Sequence, residues 1–240
     1  MKVKSKKAYQ SKSRPRSRRP LWKRLILALV MLLVALHAAW GLALLGMRYV
    51  NPPTTGVQIQ RRVESWFVSG PYKKRQTFMP LRRISPQLQH AVIAAEDGNF
   101  YKHYGIDWGQ VHDAIEESAE TGEPPRGAST IPQQLVKNLF FTTHRNPVRK
   151  VFEYTLAPMA VMILGRNRVL ELYLNVIEWG PGVYGAEAAA GYHYHLPAAA
   201  LNREQSARLA AIVPSPRRRR PERMNEYSAI IQNRMRLLGW

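Results

Sequence analysis

Residues 91–105 read Ala91-Val92-Ile93-Ala94-Ala95-Glu96-Asp97-Gly98-Asn99-Phe100-Tyr101-Lys102-His103-Tyr104-Gly105. Just upstream, Ser85-Pro86 offers an N-cap followed by proline at the first helical position, and Leu88, Ala91, Val92 and Ala95 recur at helical spacing. The spacing predicts a helix that Gly98 closes. Glu96 and Asp97 then fall in its last turn, where the helix dipole is negative and a carboxylate is disfavoured. Stability alone does not ask for an acidic pair there. The dipole, neighbouring negative charge and partial burial would together raise a carboxylate pKa toward a value useful for a general base. An isolated Glu-Asp pair at a helix end is more often a solvated surface feature, so the surroundings have to decide.

Downstream the text stays helical, with further helices suggested at about 130–141, 147–164, 166–178, 183–195, 202–213 and 225–238. Asn202 and Gln205 have capping-box spacing, and the last helix places Tyr227, Ile230, Ile231 and Leu238 on one side. No internal repeat is visible. Upstream, residues 51–80 carry Pro52-Pro53, Gly56, Gly70-Pro71 and Pro80 around a segment, Val57 to Val68, with partial strand-like alternation, which reads as a linker with a little extended structure.

Between Arg24 and Arg48 lie 23 residues without Asp, Glu, Lys or Arg, interrupted only by His37. About 20 apolar helical residues cross a bilayer core. The run is longer than the usual ~7–15 residues of a cleaved signal core and lacks an amphipathic stripe, so an uncleaved anchor is expected. The formal charge of +20 is concentrated before it: residues 1–24 hold 11 Lys and Arg and no acid, which leaves +9 for the rest. Such a flank stays on the cytoplasmic side, and everything from Tyr49 onward is expected to be exported. The tail itself has too little apolar surface to fold. A basic remainder suits phosphate-bearing substrates, anionic lipid or nucleic acid equally on charge alone. With no cysteine, the chain has no thiolate nucleophile and no Cys-based metal site.

Three further blocks add to the first. Gly127-Ala128-Ser129-Thr130-Ile131-Pro132-Gln133-Gln134-Leu135-Val136-Lys137-Asn138 reads as a capped helix, with Ser129 or Thr130 as cap and an end able to receive an anion. Gln133 and Lys137 lie one turn apart and can face one ligand. Arg149-Lys150-Val151-Phe152-Glu153 sets two cations beside one carboxylate on a helix face. As an isolated feature this is a surface ion pair of a few tenths of a kcal/mol. Val169 to Asn175 forms the fourth block, with Arg166 before it.

In this order the blocks resemble the motifs of the family 51 peptidoglycan glycosyltransferases. The first matches ED, two residues, F, two residues, H, one residue, G, at Glu96, Asp97, Phe100, His103 and Gly105. The second departs only at Pro132, where the family has threonine, and the third matches RKxxE. Arg166 stands where lysine is usual, and Gly180 to Tyr192 resembles the fifth motif except that His193-Tyr194-His195 replaces Phe-Gly-Lys. A two-residue histidine step also allows a metal reading, but a partly buried or interfacial role suits it better. The motifs span about residues 88–200, and Leu201 to Pro216 also resembles the family.

The resemblance implies a mainly α fold: a lysozyme-like, two-lobed helical domain (81–240) after a basic tail (1–24), an anchor helix (25–47) and a linker (48–80), without a transpeptidase domain. It implies polymerisation of lipid II with inversion, with Glu96 as base and Glu153 assisting. The resemblance also carries Asp97, Phe100, His103, Ser129, Thr130, Gln133, Gln134, Lys137, Asn138, Arg149, Lys150, Arg166, Glu171 and Asn175 over as substrate-binding. No cofactor is required, although some relatives use a divalent cation (Mg or Mn), for which Asp97 or Glu153 would be the ligand. Expected partners are lipid II, the nascent strand, the cytoplasmic (inner) membrane and a cell-wall synthesis or division complex; nucleic acid is not expected. Exposed apolar and basic residues are expected beside the cleft mouth, with Trp66-Phe67 and a loop of residues 106–126 as the candidates. A lysozyme-like hydrolase would usually need a second carboxylate. A nucleic-acid binder would carry its densest charge on the wrong side of the membrane, and a scaffold would not need Glu96 and Glu153.

Overall fold

The computed structural model describes residues 20–67, 72–124, 127–144 and 146–240. Among these, helices dominate. Helix α1 (Leu21–Met47) is long and apolar enough to cross a membrane. The tail expected to be disordered lies outside the described residues up to residue 19. Residues up to Ala39 form one unit and Trp40–Trp240 another.

Within the second unit, the last turns of α1 are part of the packed body. Leu44 is fully buried in the main core, and Trp40 meets the rings of Phe140, Phe141 and Phe152.

 The ring distances are thus 6.3 Å to Phe140, 5.6 Å to Phe141 and 5.3 Å to Phe152. Arg168 donates to the Met47 carbonyl at 2.9 Å and so ties the end of α1 to the body.

The segment expected as a linker contains helix α2 (Gly56–Glu64) where the sequence reads as partial strand-like alternation from Val57 onward; Val68 and Gly70-Pro71 lie outside the described residues. Thr55 caps it by accepting from the Gln58 amide, and Val57 and Gln58 are buried. What looked like alternation is one buried helix face. A Cβ on Gly56 would lie 2.4 Å from the Phe141 carbonyl oxygen, so glycine lets α2 approach the end of α5 (Ile131–Phe140).

Helix α3 (Pro86–Glu96) forms as the Ser85-Pro86 signal predicts, but Asp97, not Gly98, is its C-cap. It packs against α9 (Arg203–Ile212) and α10 (Asn225–Leu237), while α5 packs against α6 (Pro147–Leu164) and α7 (Arg166–Val176). The expected loop of residues 106–126 is largely helix α4 (Trp108–Thr121), capped by Asp107 and ended by Gly122 in the left-handed region. In α10 the buried positions are Ser228, Ile231 and Met235; Ile230 and Leu238 face outward, contrary to the predicted stripe.

The helix expected at 183–195 starts later, as α8 (Ala186–Tyr194). Val183–Tyr184 instead forms strand β3, parallel to β1 (Arg75–Gln76) and antiparallel to β2 (Glu178–Gly180). Gly182 and Gly185, both at positive φ, bracket β3 and allow the chain to leave the helical course. His193 hydrogen-bonds the Trp179 carbonyl at 2.9 Å, which accounts for it as a partly buried packing residue.

Candidate active site

The first two motifs interlock through buried hydrogen bonds. Asp97 is buried and accepts from the Ile131 amide at 2.9 Å through Oδ2 and meets His103 Nε2 at 2.8 Å through Oδ1. The Gly105 amide donates to His103 Nδ1, which assigns the ring hydrogen to Nε2 and makes His103 the donor to Asp97. Thr130 caps α5 in a reciprocal capping box with Gln133 and also donates to the Gly105 carbonyl at 2.6 Å. The anion at the N-terminus of α5 is therefore the protein's own Asp97. Gly105 adopts φ +102, and a Cβ there would lie 2.6 Å from the Pro158 nitrogen, so the loop rests directly on α6.

This frame holds Glu96 at the end of α3, on the wall of a cleft of 1020 Å³. Gln134 donates to Glu96 Oε2 at 2.7 Å and accepts from the Tyr173 hydroxyl at 2.8 Å. Burial pushes the Glu96 carboxyl up from the ordinary range. The Gln134 hydrogen bond, Lys137 and Arg219 pull it down, and Asp97 adds a small upward push. The net direction is upward. Lys137 lines the same cleft, and burial holds its ammonium below the usual lysine range, with Glu153 and Glu96 opposing and Arg149 and Lys150 reinforcing the fall.

Behind this wall, Glu153 is buried with Arg149 Nε 2.9 Å from Oε1 and Lys150 Nζ 3.3 Å from Oε2. Taken alone the block reads as a surface ion pair, but here Glu153 is buried between two partly buried cations, where loss of one partner is costly. Lys150 also donates to Ser129 at 2.8 Å, joining α6 to the start of α5. Arg149, Ser129, Gln134, Lys137 and Asn138 share the cleft with Glu96.

Other predicted site residues hold the frame. Phe100 is a core side chain, and Gln133 is buried in the capping box, so Gln134 and Lys137, not Gln133 and Lys137, face the cleft together. Arg166 donates to the His103 carbonyl at 3.0 Å and covers the Tyr104 ring. Glu171 accepts from the Leu81 amide at 2.6 Å and pairs with Arg168. Asn175 is fully buried and pairs with both backbone groups of Met79 at 2.7 and 2.8 Å, as a neighbouring strand would. Asp97, Phe100, His103, Thr130, Gln133, Arg166, Glu171 and Asn175 thus all make internal contacts, and none of them is among the residues that line the cleft with Glu96.

Neither carboxylate expected to hold a divalent cation suits one: both Asp97 oxygens face N–H donors, and both Glu153 oxygens face cations. Sequence reasoning missed Arg61, Tyr173, Glu178, Arg217 and Arg218, which also line the cleft. Arg61 pairs with Glu178 at 3.0 Å across 117 positions of sequence, a contact with no local signal. The arginine run at 217–220 was a legible signal.

Residues 62–238 match the family described as Transglycosylase. The chain is similar to the biosynthetic peptidoglycan transglycosylase of Ectopseudomonas mendocina (strain ymp), with 39% identity over 215 residues that cover 88% of each chain. It is 42% identical over 211 residues to the biosynthetic peptidoglycan transglycosylase of Dechloromonas aromatica (strain RCB), covering 85% of this chain and 91% of that one. The relative of the same description from Laribacter hongkongensis (strain HLHK9) is 39% identical over 196 residues, 80% of this chain and 86% of its own. With a match across most of its length and a cleft that sets a desolvated carboxylate among cations, this chain belongs to the transglycosylase family.

Proposed function

We propose that this enzyme polymerises lipid II into peptidoglycan strands, with Glu96 as the general base. Glu96 takes the proton of the acceptor sugar's 4-hydroxyl as that oxygen attacks the donor's anomeric carbon. The α-linked undecaprenyl pyrophosphate leaves with the bonding electrons, and a β-1,4 bond forms with inversion. Gln134 occupies Glu96 Oε2, which leaves Oε1 to receive the proton. Lys137 and Arg149 offset the charge that develops on the leaving diphosphate, and Glu153 holds Arg149 and Lys150 in position. The observation that carries the reading is the partly desolvated Glu96 sharing one cleft with Lys137 and Arg149.

The anchor fits this chemistry. Donor and acceptor are both lipid-linked, and an enzyme held in the cytoplasmic membrane by α1, with its N-terminus in the cytoplasm, meets them at high local concentration.

Purified full-length protein with labelled lipid II is expected to yield polymer that lysozyme digests, and Glu96→Gln to abolish it with the fold retained. The variant should also melt above wild type at neutral pH. A carboxyl whose pKa is raised on folding loses stability as pH climbs from the unfolded value, 4.5, through the folded one, and glutamine removes that loss. Undiminished turnover in Glu96→Gln would remove Glu96 as base.

A further inference from the structure

Helix α2 borders two hollows. On one side, Val57 and Arg61 line the Glu96 cleft. On the other, Gln58, Ile59 and Arg62 line a separate hollow of 720 Å³, completed by the 3-10 turn Ser65–Phe67 and by Tyr72 and Lys74, just before β1. Trp66, expected at the cleft mouth, lines this hollow and not the cleft.

The lining holds two cations and no acid. Lys74 donates to the Pro53 carbonyl at 3.2 Å and to Gln58 Oε1 at 2.6 Å, both neutral acceptors, and burial holds its ammonium below the usual lysine range. An ammonium has three donors, which leaves one for a ligand. The Arg62 guanidinium is exposed, with no hydrogen-bond or ion-pair partner among the described residues, whereas neighbouring Arg61 is held by Glu64 and Glu178. Two cations without a counter-ion, beside the Thr54 hydroxyl, suit a phosphate.

The rim is apolar. Ile59, Val63 and Trp66 recur at steps of four and three, and Phe67 extends their face; Trp66 is 72% and Phe67 84% exposed. Tryptophan and phenylalanine on one face with cations beside them mark a helix that lies in a bilayer surface. The fold puts α2 at that level. A Cβ on Gly56 would meet the Phe141 carbonyl, the Phe141 ring packs on Trp40 of α1 at 5.6 Å, and Gln60 accepts from the Thr143 amide at 2.7 Å. About 20 helical residues cross the hydrocarbon core, and counted from Leu25 they end near Leu44, so Trp40 and the start of α2 stand at the end of the span, among headgroups.

We propose that this hollow binds the phosphate of an anionic phospholipid, with Arg62 and Lys74 as its partners and Ile59, Trp66 and Phe67 seated in the bilayer surface. This rests on the reading of α1 as a membrane anchor. A sugar ring would suit Trp66 and Tyr72, but it gives no reason for Ile59 and Phe67 to stand in water. Because Val57 and Arg61 lie on the reverse of the same helix, a phospholipid held here fixes one wall of the catalytic cleft against the membrane.

The chain has no cysteine, so Phe67→Cys gives the full-length protein a single attachment point for an environment-sensitive fluorophore. The labelled protein is placed in nanodiscs of phosphatidylcholine alone or mixed with an equal part of phosphatidylglycerol, with bromine quenchers on the acyl chains and no lipid-linked substrate present. Quenching is expected to be about fivefold stronger in the anionic discs, and Arg62→Ala/Lys74→Ala to return it to the neutral level. Arg62→Ala alone should lose part of the difference while turnover of lipid II in detergent stays at the wild-type rate, which separates loss of the site from loss of the fold. A chain that does not co-elute with the discs overturns the anchor and the proposal with it. A chain that co-elutes, yet whose label is quenched equally in both discs or in neither, overturns the phospholipid site and leaves the anchor standing. Protection of the label by soluble muropeptides in neutral discs would assign the hollow to a saccharide and overturn the proposal as well.

Discussion

Asp97→Ala separates a residue that holds the frame from one that acts on substrate. Its carboxylate is buried and accepts two hydrogen bonds, from His103 Nε2 at 2.8 Å and from the Ile131 amide at 2.9 Å. Alanine leaves both donors buried and unsatisfied, at about 1–3 kcal/mol each, so a total of about 2–6 kcal/mol is expected. For a domain of this size each kcal/mol moves Tm by roughly 2–4 °C, which predicts a fall of at least about 4 °C. Circular dichroism melting of the full-length protein in detergent measures it, alongside turnover on lipid II. Asp97→Asn should lose less, because its carbonyl oxygen can still accept from Ile131 while its amide opposes the His103 hydrogen. A variant that melts within about 1 °C of wild type yet loses turnover would refute the framing role and return Asp97 to the substrate or a cation.

Two other predictions concern the cleft and the anchor. Because Glu96 must be ionised to accept a proton, kcat/KM falls as pH drops through its raised pKa, above 4.5; Lys137→Met removes a cation that pulls this pKa down, so the acidic limb of the pH–rate profile should move to higher pH. A limb that stays in place would show that Lys137 does not act on Glu96. Leu44→Ala empties a fully buried position and should cost about 2–5 kcal/mol, read as a lower melting temperature, whereas Leu29→Ala on the exposed stretch of the same helix should leave melting unchanged. Equal melting of Leu44→Ala and wild type would place the end of the anchor outside the core.

Much of the site was legible because its signals are local. Ser85-Pro86, Thr130 with Gln133 and Asn202 with Gln205 are caps that involve residues three apart or fewer, and the structure forms each of them. Arg149 and Glu153 meet because four residues make about one helical turn. The end of α3 follows in the same way, and with it the place of Glu96.

The division between residues that face substrate and residues that hold the frame was not legible. Asp97 and Glu96 are adjacent, with the same functional group. One turns toward the N-terminus of α5, the other toward the cleft, and only the meeting of the end of α3 with the start of α5 decides which. Arg61 with Glu178, Asn175 with Met79 and β1 with β3 likewise join positions about a hundred residues apart. By itself the sequence determined most of the helices after Ser85, the apolar anchor and the order of charged motifs, because these depend on neighbours within a few turns, whereas α2 and α4 form where the sequence reads as extended and loop segments. Which carboxylate is desolvated, and which cations it faces, only the tertiary structure decided, because burial and Coulomb energy depend on distance in space.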